Sequence, residues 1–283
     1  MMQCAFRKYL YHVFLSAIYS FLLVSIITLD GQSAAQDLDV PYVPTPQPVV
    51  DRMLEMALVD SSDYVIDLGS GDGRIVIAAA RRGATGHGID LDPDRIQEAR
   101  ENARQADVDD RVLFFQEDIF ETDFSQASVI TMYLLSSVNI KLRPRLLEEL
   151  RPGTRVVSHS FDMNGWTADM AVSAKEESGG TSRLYLWIIP ARLEGHWSWN
   201  QNGSEFSMDV EQEFQNVDID LNEENQTLQV ENAHLKGPRI TFSASNGGTH
   251  YIYSGHIEEN MISGTVQIRQ GNDSWVENWS ASR

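Results

Sequence analysis

The spacing of hydrophobic residues divides the chain into two parts after its first 48 residues. Between residues 49 and 190, short apolar runs alternate with longer segments in which apolar residues recur at helical spacing. This alternation predicts a mostly parallel sheet with helices on both faces. From residue 191 onwards, brief apolar and polar alternations are separated by turns rich in Asn, Gly and Glu, which predicts a small antiparallel β domain closing into a barrel or sandwich.

Five apolar runs are predicted as parallel strands, and the amphipathic segments around them as helices. The strands are residues 64–68, 86–90, 112–115, 128–134 and 154–159. The helices begin at Pro48, Ile75, Pro93 (after a cap at Asp92) and Leu142. A predicted hairpin of residues 167–177 and 183–189 adds two antiparallel strands after the five parallel ones, which gives a seven-stranded Rossmann-like sheet.

A glycine-dense turn follows the first strand. Residues 65–76 read VIDLGSGDGRIV, and the three alternate glycines, Gly69, Gly71 and Gly73, allow the backbone to turn tightly beside a ligand. The alternative is a tight turn that only connects two core elements. Its place between an apolar strand and a helix favours a nucleotide-like ligand.

The residues beside these glycines indicate which ligand the turn binds. A dinucleotide fingerprint faces a pyrophosphate and has a small residue where this chain has Arg74. Asp72 would also place a negative charge beside any phosphate. S-adenosylmethionine (AdoMet) has no phosphate, and its ammonium and sulfonium groups would be attracted by Asp67 and Asp72. The turn therefore predicts AdoMet as the cofactor.

Two further acids follow the next two strands at matching positions. Asp90 ends the second strand about 20 residues after the turn, where a carboxylate binds ribose hydroxyls in sheets of this kind. Asp118 and Ile119 follow the third strand, where an acid and an apolar residue would contact the adenine. A loop acid without a ligand is the alternative for Asp118. We expect Asp67, Asp90 and Asp118 to surround one cavity.

With these motifs, residues 40–190 resemble the class I AdoMet-dependent methyltransferases. The sequence VPYVPT at residues 40–45, the glycine turn and Trp166 resemble a smaller group, which includes the lysine methyltransferases of the ATP synthase c subunit and bacterial relatives. The resemblance implies AdoMet binding and a protein lysine as the methyl acceptor. After the fourth strand this group has a Gly-Val-Pro-like turn, whereas residues 132–135 of this chain are Met-Tyr-Leu-Leu, so other acceptors stay open.

The Pro-rich segment of residues 36–48 has two interpretations. It is predicted to be extended, because each proline disfavours helix in the residue before it. It is either a linker to the preceding residues or, as the resemblance implies, it folds over the AdoMet pocket. In the second case Tyr42 or Thr45 contacts the methionine end of the cofactor.

The acceptor is expected at the end of the fourth strand, because ligands bind at the carboxyl ends of parallel strands. Tyr133 is the first candidate there. Further polar candidates follow it in the chain, namely Ser136, Ser137 and Asn139. His159 ends the fifth strand and Asp162 follows it; both are candidate catalytic residues, with a structural role as the alternative for His159. No Asp/Asn-Pro-Pro-aromatic motif is present, which argues against methylation of amides and exocyclic amines.

Composition narrows the range of partners. The chain has 22 Lys and Arg residues against 41 Asp and Glu residues, a formal net charge of -19. This balance argues against nucleic acid, because phosphate binding needs a basic surface. The net negative charge suits a basic protein acceptor, although a requirement for solubility explains this charge equally well. No metal-ligand spacing is found in the sequence.

The first 35 residues are predicted to be a targeting segment. Arg7 and Lys8 precede a nearly unbroken apolar stretch, residues 9–29, and small residues at 33–35 offer a cleavage site. The stretch is also long enough to span a bilayer, so an uncleaved membrane anchor is the alternative. Either route predicts a periplasmic or extracellular folded part. Cys4 is the one cysteine, so no disulfide is expected after cleavage.

The sequence thus predicts an AdoMet-dependent methyltransferase domain at residues 49–190 and an antiparallel β domain at residues 191–283. The acceptor is expected to be a nitrogen such as that of a protein lysine, with a small molecule as one alternative. The other alternative is an exported protein that binds AdoMet without transferring its methyl group. In the β domain, Trp197, Trp199, Trp275 and Trp279 are expected to fill the core and ends of the barrel, or to form a binding surface for glycan, lipid or peptide.

Overall fold

The computed structural model describes residues 42–224 and 226–283. The predicted targeting segment and the first half of the Pro-rich segment lie outside the described residues. In these two ranges, no helix is long and apolar enough to cross a membrane.

The first part of the chain alternates strands and helices, as the apolar pattern predicts. In chain order the elements are α1 (Gln47–Met56), β1 (Tyr64–Leu68), α2 (Arg74–Ala80), β2 (Thr85–Asp90), α3 (Pro93–Gln105), β3 (Val112–Gln116), β4 (Val129–Met132), α4 (Ser136–Glu149), β5 (Arg155–His159), β6 (Met170–Lys175) and β7 (Thr181–Ile188).

The seven strands form one sheet in the order β3-β2-β1-β4-β5-β7-β6. Strands β1 to β5 pair in parallel, and β7 pairs antiparallel with both β5 and β6. The central strands β1 and β4 are almost wholly buried, as expected of strands covered on both faces. The predicted seven-stranded Rossmann-like sheet is confirmed. Because the strand order reverses between β1 and β4, their carboxyl ends border a crevice.

Helix α4 differs from its prediction. It begins at Ser136 rather than Leu142, because Val138, Leu142 and Leu146 form one buried stripe at intervals of four residues. The fourth strand is correspondingly shorter than predicted and ends at Met132. Tyr133 therefore lies in the turn between β4 and α4.

The second part of the chain forms a closed eight-stranded antiparallel barrel. Its strands are β8 (Gly195–Gln201), β9 (Ser204–Glu213), β10 (Asn216–Glu223), β11 (Gln226–Lys236), β12 (Arg239–Ser245), β13 (Thr249–Glu258), β14 (Met261–Gln270) and β15 (Asp273–Ser282). Consecutive strands pair with each other, and β15 pairs with β8 to close the ring. The predicted antiparallel β domain is confirmed as a barrel. The predicted domain boundary, between residues 190 and 191, falls in the connection from β7 to β8.

Three of the four tryptophans in the barrel belong to its apolar core. Trp197, Trp199 and Trp279 are at least 96% buried. Trp275 is 37% exposed, and its indole N–H donates a hydrogen bond to Glu277. The expected role in filling the barrel is therefore observed for three tryptophans. Trp275 keeps contact with solvent because it lies near the start of the last strand.

Candidate functional site

One cavity lies at the carboxyl ends of β1, β2 and β4, at the crevice where the strand order reverses. Its volume is about 880 Å³, including solvent space at its mouth, which suits a nucleoside-sized ligand. Seven of the predicted site residues line it, namely Tyr42, Thr45, Gly69, Asp72, Asp90, Ile119 and Tyr133. The other predicted site residues lie outside its lining.

The glycine turn joins β1 to α2. Gly69, Gly71 and Gly73 have φ angles of 76°, 51° and 80°, which side-chain-bearing residues rarely adopt. The N–H groups of Gly69 and Ser70 donate to the carbonyl of Ile89 at 2.9 and 2.8 Å, which ties the turn to β2. Gly71 and Gly73 do not line the cavity. They allow the turn that places Gly69 and Ser70 there.

Asp90 lies at the end of β2 and lines the cavity. Its Oδ2 accepts a hydrogen bond from Gly71 N at 2.8 Å, and its Oδ1 accepts one from Asp92 N at 3.0 Å. The carboxylate therefore fixes both the glycine turn and the start of α3. Each carboxylate oxygen keeps a further lone pair for a ligand, which supports the predicted ribose contact.

Asp67 lies beneath the glycine turn and not in the cavity. It is 2% exposed and accepts a hydrogen bond from Thr131 Oγ1 at 2.7 Å. Burial is the main reason that its pKa is raised from 3.8 to about 7, and this hydrogen bond offsets only part of the effect. The side chain points to β4, and its role as a direct AdoMet ligand stays a prediction.

Asp118 also lies outside the cavity lining. Its Oδ1 accepts a hydrogen bond from Phe120 N at 2.8 Å, which turns the carboxylate back towards its own loop. Ile119, the next residue, lines the cavity instead. Of the three acids expected to surround one cavity, Asp90 lines it, and the ligand contacts of Asp67 and Asp118 stay predictions.

Residues 42–45 line the cavity, which favours the second interpretation of the Pro-rich segment. Two arginines hold this segment in place. Arg74 Nη1 donates to the carbonyl of Thr45 at 2.9 Å, and the guanidinium of Arg95 lies 4.8 Å from the centre of the Tyr42 ring. Sequence reasoning misses both arginines, because their partners are distant along the chain.

Arg74 also pairs with Asp72. Its Nη2 lies 2.6 Å from Asp72 Oδ2, and its Nε donates to both carboxylate oxygens. Burial acts to raise the pKa of Asp72, but hydrogen bonds and charge from Arg74 outweigh it, and the net pKa is lowered. The charge of Asp72 is thus compensated within the protein. Its attraction for the ammonium of AdoMet is weaker than the sequence alone suggests, and the Asp-x-Arg spacing is the signal that reveals this.

On the predicted acceptor side, Tyr133 lines the cavity, and the His159 ring lies against the Tyr133 ring. The two rings have centroids 3.8 Å apart and are tilted by 31°. His159 Nδ1 is hydrogen-bonded to Thr45 Oγ1 at 3.1 Å, and its Nε2 to Ser182 Oγ at 2.7 Å. Burial lowers the pKa of His159 from 6.5 to about 4, although Glu176 partly offsets it. With both nitrogens engaged, His159 is better placed to position Tyr133 than to act as a base.

Asp162 is exposed and does not line the cavity. Its Oδ1 accepts a hydrogen bond from Asn164 N at 3.3 Å, within its own loop. Asn139 is wholly buried, and its Nδ2 donates to the carbonyls of Phe161 and Asp162 at 3.1 and 3.3 Å. Asn139 therefore holds this loop. The side chain of Asp162 faces solvent, and its catalytic role stays a prediction.

The donor and acceptor groups of the cavity fit AdoMet. The hydroxyl of Ser70 is buried and lines the cavity, and it makes no hydrogen bond to the residues that the structure describes. An unpaired buried hydroxyl of this kind is a place for a polar atom of a ligand. Asp90 can accept hydrogen bonds from ribose hydroxyls, and Ile119 provides an apolar contact for a flat ring.

The two buried titratable groups should act on stability with opposite signs. Between about pH 4 and pH 7, folded Asp67 keeps a proton that the unfolded chain releases, so the free energy of unfolding falls as pH rises. Between about pH 4 and pH 6.5, folded His159 lacks a proton that the unfolded chain binds, so the free energy of unfolding rises with pH. Each slope is at most about 1.4 kcal/mol per pH unit.

We therefore expect Asp67→Asn and His159→Gln to change the pH dependence of stability in opposite directions. Without Asp67 the free energy of unfolding should rise more steeply with pH than in the wild type, and without His159 it should rise less steeply or fall. Urea unfolding of the three proteins across this pH range measures both slopes. Equal slopes in all three would contradict a protonated Asp67 and a neutral His159 in the folded protein.

Comparison with known proteins agrees with this geometry. The family model described as the ANTKMT methyltransferase domain matches residues 67–170. A protein-lysine N-methyltransferase of Saccharolobus islandicus is 45% identical over 152 residues, which are 53% of this chain and 94% of that protein. The human lysine N-methyltransferase of the ATP synthase c subunit is 32% identical over 136 residues, 48% of this chain and 58% of that protein.

A solved structure is also similar. The crystal structure of an RNA methyltransferase from Salinibacter ruber, in complex with S-adenosyl-L-homocysteine, is 57% identical. The match covers 53% of this chain and 96% of that chain, with a TM-score of 0.50. The two relatives and the solved structure each match about half of the present chain, and the family model ends before the barrel begins.

Proposed function

Because the chain belongs to the AdoMet-dependent protein-lysine N-methyltransferases, we propose that it transfers the methyl group of AdoMet to the side-chain nitrogen of a protein lysine. The observation that carries this proposal is 45% identity to nearly the whole of the Saccharolobus lysine methyltransferase. The cavity supports it, since its polar groups fit AdoMet and Tyr133, the predicted acceptor-side residue, is part of its lining. The alternative of a binding protein without transferase activity has no support from the comparisons.

In this proposal, most of the rate enhancement comes from positioning the acceptor nitrogen against the methyl group. Bound AdoMet supplies a methyl group that is activated by its sulfonium. Holding an acceptor nitrogen in line contributes about 7–11 kcal/mol, whereas a general base contributes about 10²- to 10⁴-fold in rate. Tyr133 is the residue that positions the acceptor, and its own ring is fixed by the buried, neutral His159.

The acceptor lysine must lose its proton before it reacts, because its unperturbed pKa is about 10.4. His159 takes no part in this step, since both of its nitrogens are hydrogen-bonded inside the protein. In our proposal the proton leaves to water at the open mouth of the cavity, and turnover increases with pH as more of the lysine is neutral.

Tyr133→Phe should slow turnover about tenfold and leave the affinity for AdoMet nearly unchanged. The substitution keeps the ring against His159 but removes the hydroxyl, whose hydrogen bond to the acceptor nitrogen is worth about 1–1.5 kcal/mol. Steady-state kinetics with calorimetric titration of AdoMet separates the two effects. A variant that loses AdoMet affinity and keeps its turnover number would place Tyr133 on the cofactor side.

RNA is a second candidate acceptor, favoured by the name of the 57% identical Salinibacter structure. The charge of the present chain opposes it. Its 41 acidic residues against 22 basic ones give a net charge of -19, and binding to phosphates relies on Lys and Arg. We therefore favour a protein acceptor.

One experiment tests both acceptors. The purified chain is incubated with methyl-labelled AdoMet and, in parallel, with a protein fraction and an RNA fraction from the same cells. Label that mass spectrometry assigns to a lysine side chain supports the proposal. Label in RNA alone would replace lysine with a nucleotide acceptor.

We also propose that the chain is exported or held at a membrane by residues 9–29. The support is the basic flank followed by a long apolar stretch in the sequence. N-terminal sequencing of the protein from membrane and soluble fractions tests it. A soluble chain that still begins at Met1 would contradict both forms of this proposal.

A further inference from the structure

The turn that joins β9 to β10 reaches from the barrel to the loop that follows β5. Gln215 lies in this turn, and both polar atoms of its side-chain amide form hydrogen bonds with that loop. Its Oε1 accepts a hydrogen bond from Trp166 Nε1 at 2.8 Å, and its Nε2 donates to the carbonyl of Thr167 at 2.7 Å. Phe214, the preceding residue, stacks on the Trp166 ring with centroids 5.5 Å apart and an angle of 18°.

The loop held by this turn has a strained backbone. We name residues 160–167 the acceptor loop. Within it, Ser160, Asn164 and Gly165 have φ angles of 64°, 26° and 76°. Non-glycine residues at positive φ are unfavourable and persist where surrounding contacts fix them. The acceptor loop therefore depends on contacts from other elements.

Arg143 of α4 supplies another of these contacts. Its guanidinium lies 5.4 Å from the centre of the Phe214 ring, on the barrel side. Its Nη1 donates to the carbonyls of Met163, at 2.9 Å, and Asn164. Helix α4, the barrel turn and the acceptor loop thus form one contact group.

The other end of the acceptor loop contacts a residue that lines the cavity. The Phe161 ring stacks beside the Tyr133 ring, with centroids 6.0 Å apart and an angle of 27°. Tyr133 lines the cavity. A continuous set of contacts therefore runs from Gln215 through Trp166 and the loop backbone to Tyr133.

We propose that Phe214 and Gln215 are positioning residues for methyl transfer, and that the barrel acts in catalysis by holding the acceptor loop beside Tyr133. Neither residue contacts AdoMet or the reacting nitrogen. The matched family model ends at residue 170, so it contains neither of them. This inference rests on the proposed function, because it assigns the loop to the side on which the acceptor enters.

Gln215→Ala in the full chain tests the proposal, with Gln229→Ala as the matched control. Gln229 also lies in the barrel, and its side chain hydrogen-bonds to Glu231. We expect Gln215→Ala to speed amide hydrogen exchange in residues 161–167 about five- to tenfold and to lower the turnover number by a similar factor. AdoMet affinity, measured by calorimetry, should stay at the wild-type value. Gln229→Ala should match the wild type in all three measurements.

A double-mutant cycle keeps the test independent of general destabilisation. Trp166→Phe retains the stacking on Phe214 but removes the N–H that donates to Gln215. If the proposal holds, adding Gln215→Ala to Trp166→Phe causes a smaller loss of turnover than Gln215→Ala causes alone. Additive losses, or faster exchange without loss of turnover, would overturn the positioning role.

Failure of the proposed function can be told apart from failure of this inference. Wild-type protein that transfers no label to lysine in the protein fraction contradicts lysine as the acceptor. Hydrogen exchange requires no acceptor, and unchanged exchange in Gln215→Ala overturns the proposal in either case.

Discussion

Asp90→Ala should weaken AdoMet binding by about 10- to 100-fold. The carboxylate lines the cavity and accepts hydrogen bonds from Gly71 N and Asp92 N, so its loss removes a ligand contact and also loosens the glycine turn. A hydrogen bond to a charged group is worth about 1.5–3 kcal/mol, and about 1.4 kcal/mol is a factor of ten in affinity. Calorimetric titration of AdoMet measures the change.

Asp110→Ala is the matched control for Asp90→Ala, because Asp110 is an exposed carboxylate in the same domain. It should bind AdoMet as the wild type does. Asp90→Asn keeps the size of the side chain and should fall between the two, since an amide has one acceptor oxygen instead of two. Unchanged affinity in Asp90→Ala would refute the ribose assignment.

Gly71→Ala is expected to weaken AdoMet binding at least about tenfold by displacing Tyr42. A Cβ at this position would overlap Cε2 of Tyr42 and lie 2.9 Å from its Cδ2. The ring would have to leave both the cavity lining and its place beside Arg95. The φ angle of 51° adds backbone strain of about 1–2 kcal/mol. Titration of AdoMet, together with thermal unfolding, measures both effects.

Gly179→Ala separates the two causes. Gly179 has a φ of 87° and no atom within 4 Å of the position of an added Cβ, so this substitution introduces strain without overlap. It should lower thermal stability and leave AdoMet affinity unchanged. In a Tyr42→Ala background, Gly71→Ala should cost less affinity than in the wild type. An equal cost in both backgrounds would mean that the overlap with Tyr42 is unimportant.

The fold was predictable because buried positions carry apolar residues at the spacing of the helix or strand to which they belong. Strand β1 is apolar apart from Asp67, as a strand covered on both faces must be. In β9, Phe206, Met208 and Val210 alternate with polar residues, and all three point into the barrel core. Each pattern depends on one element and its period, so it can be read without knowing which element packs against it.

The orientation of the acidic residues was less predictable, because it depends on donors in other elements. Asp67 is directed by Thr131 of β4, and Asp118 by the N–H of Phe120. Asp67 lies within β1 and Asp118 follows β3, as expected, yet neither lines the cavity. Asp90 does line it, since the donors that bind it, Gly71 and Asp92, belong to the two turns that border the cavity.

The role of His159 could not be inferred from its position along the chain. A histidine after a parallel strand is compatible with a base or with a structural group. The structural role is favoured by Thr45 and Ser182, whose hydroxyls are hydrogen-bonded to the two ring nitrogens of His159. Both residues lie far from His159 in sequence. Arg74 was overlooked for the same reason, because its contact with Thr45 joins the glycine turn to the Pro-rich segment.

The closure of the barrel by β8 and β15 has a consequence for how the protein matures. Ser198 pairs with Ser282, so the ring cannot close until the ribosome has released almost all of the described chain. The seven-stranded sheet, by contrast, has all of its strands once β7 has been synthesised. The sheet can therefore form before the barrel does, and the contacts of Phe214 and Gln215 with the acceptor loop would form in the later of these two steps.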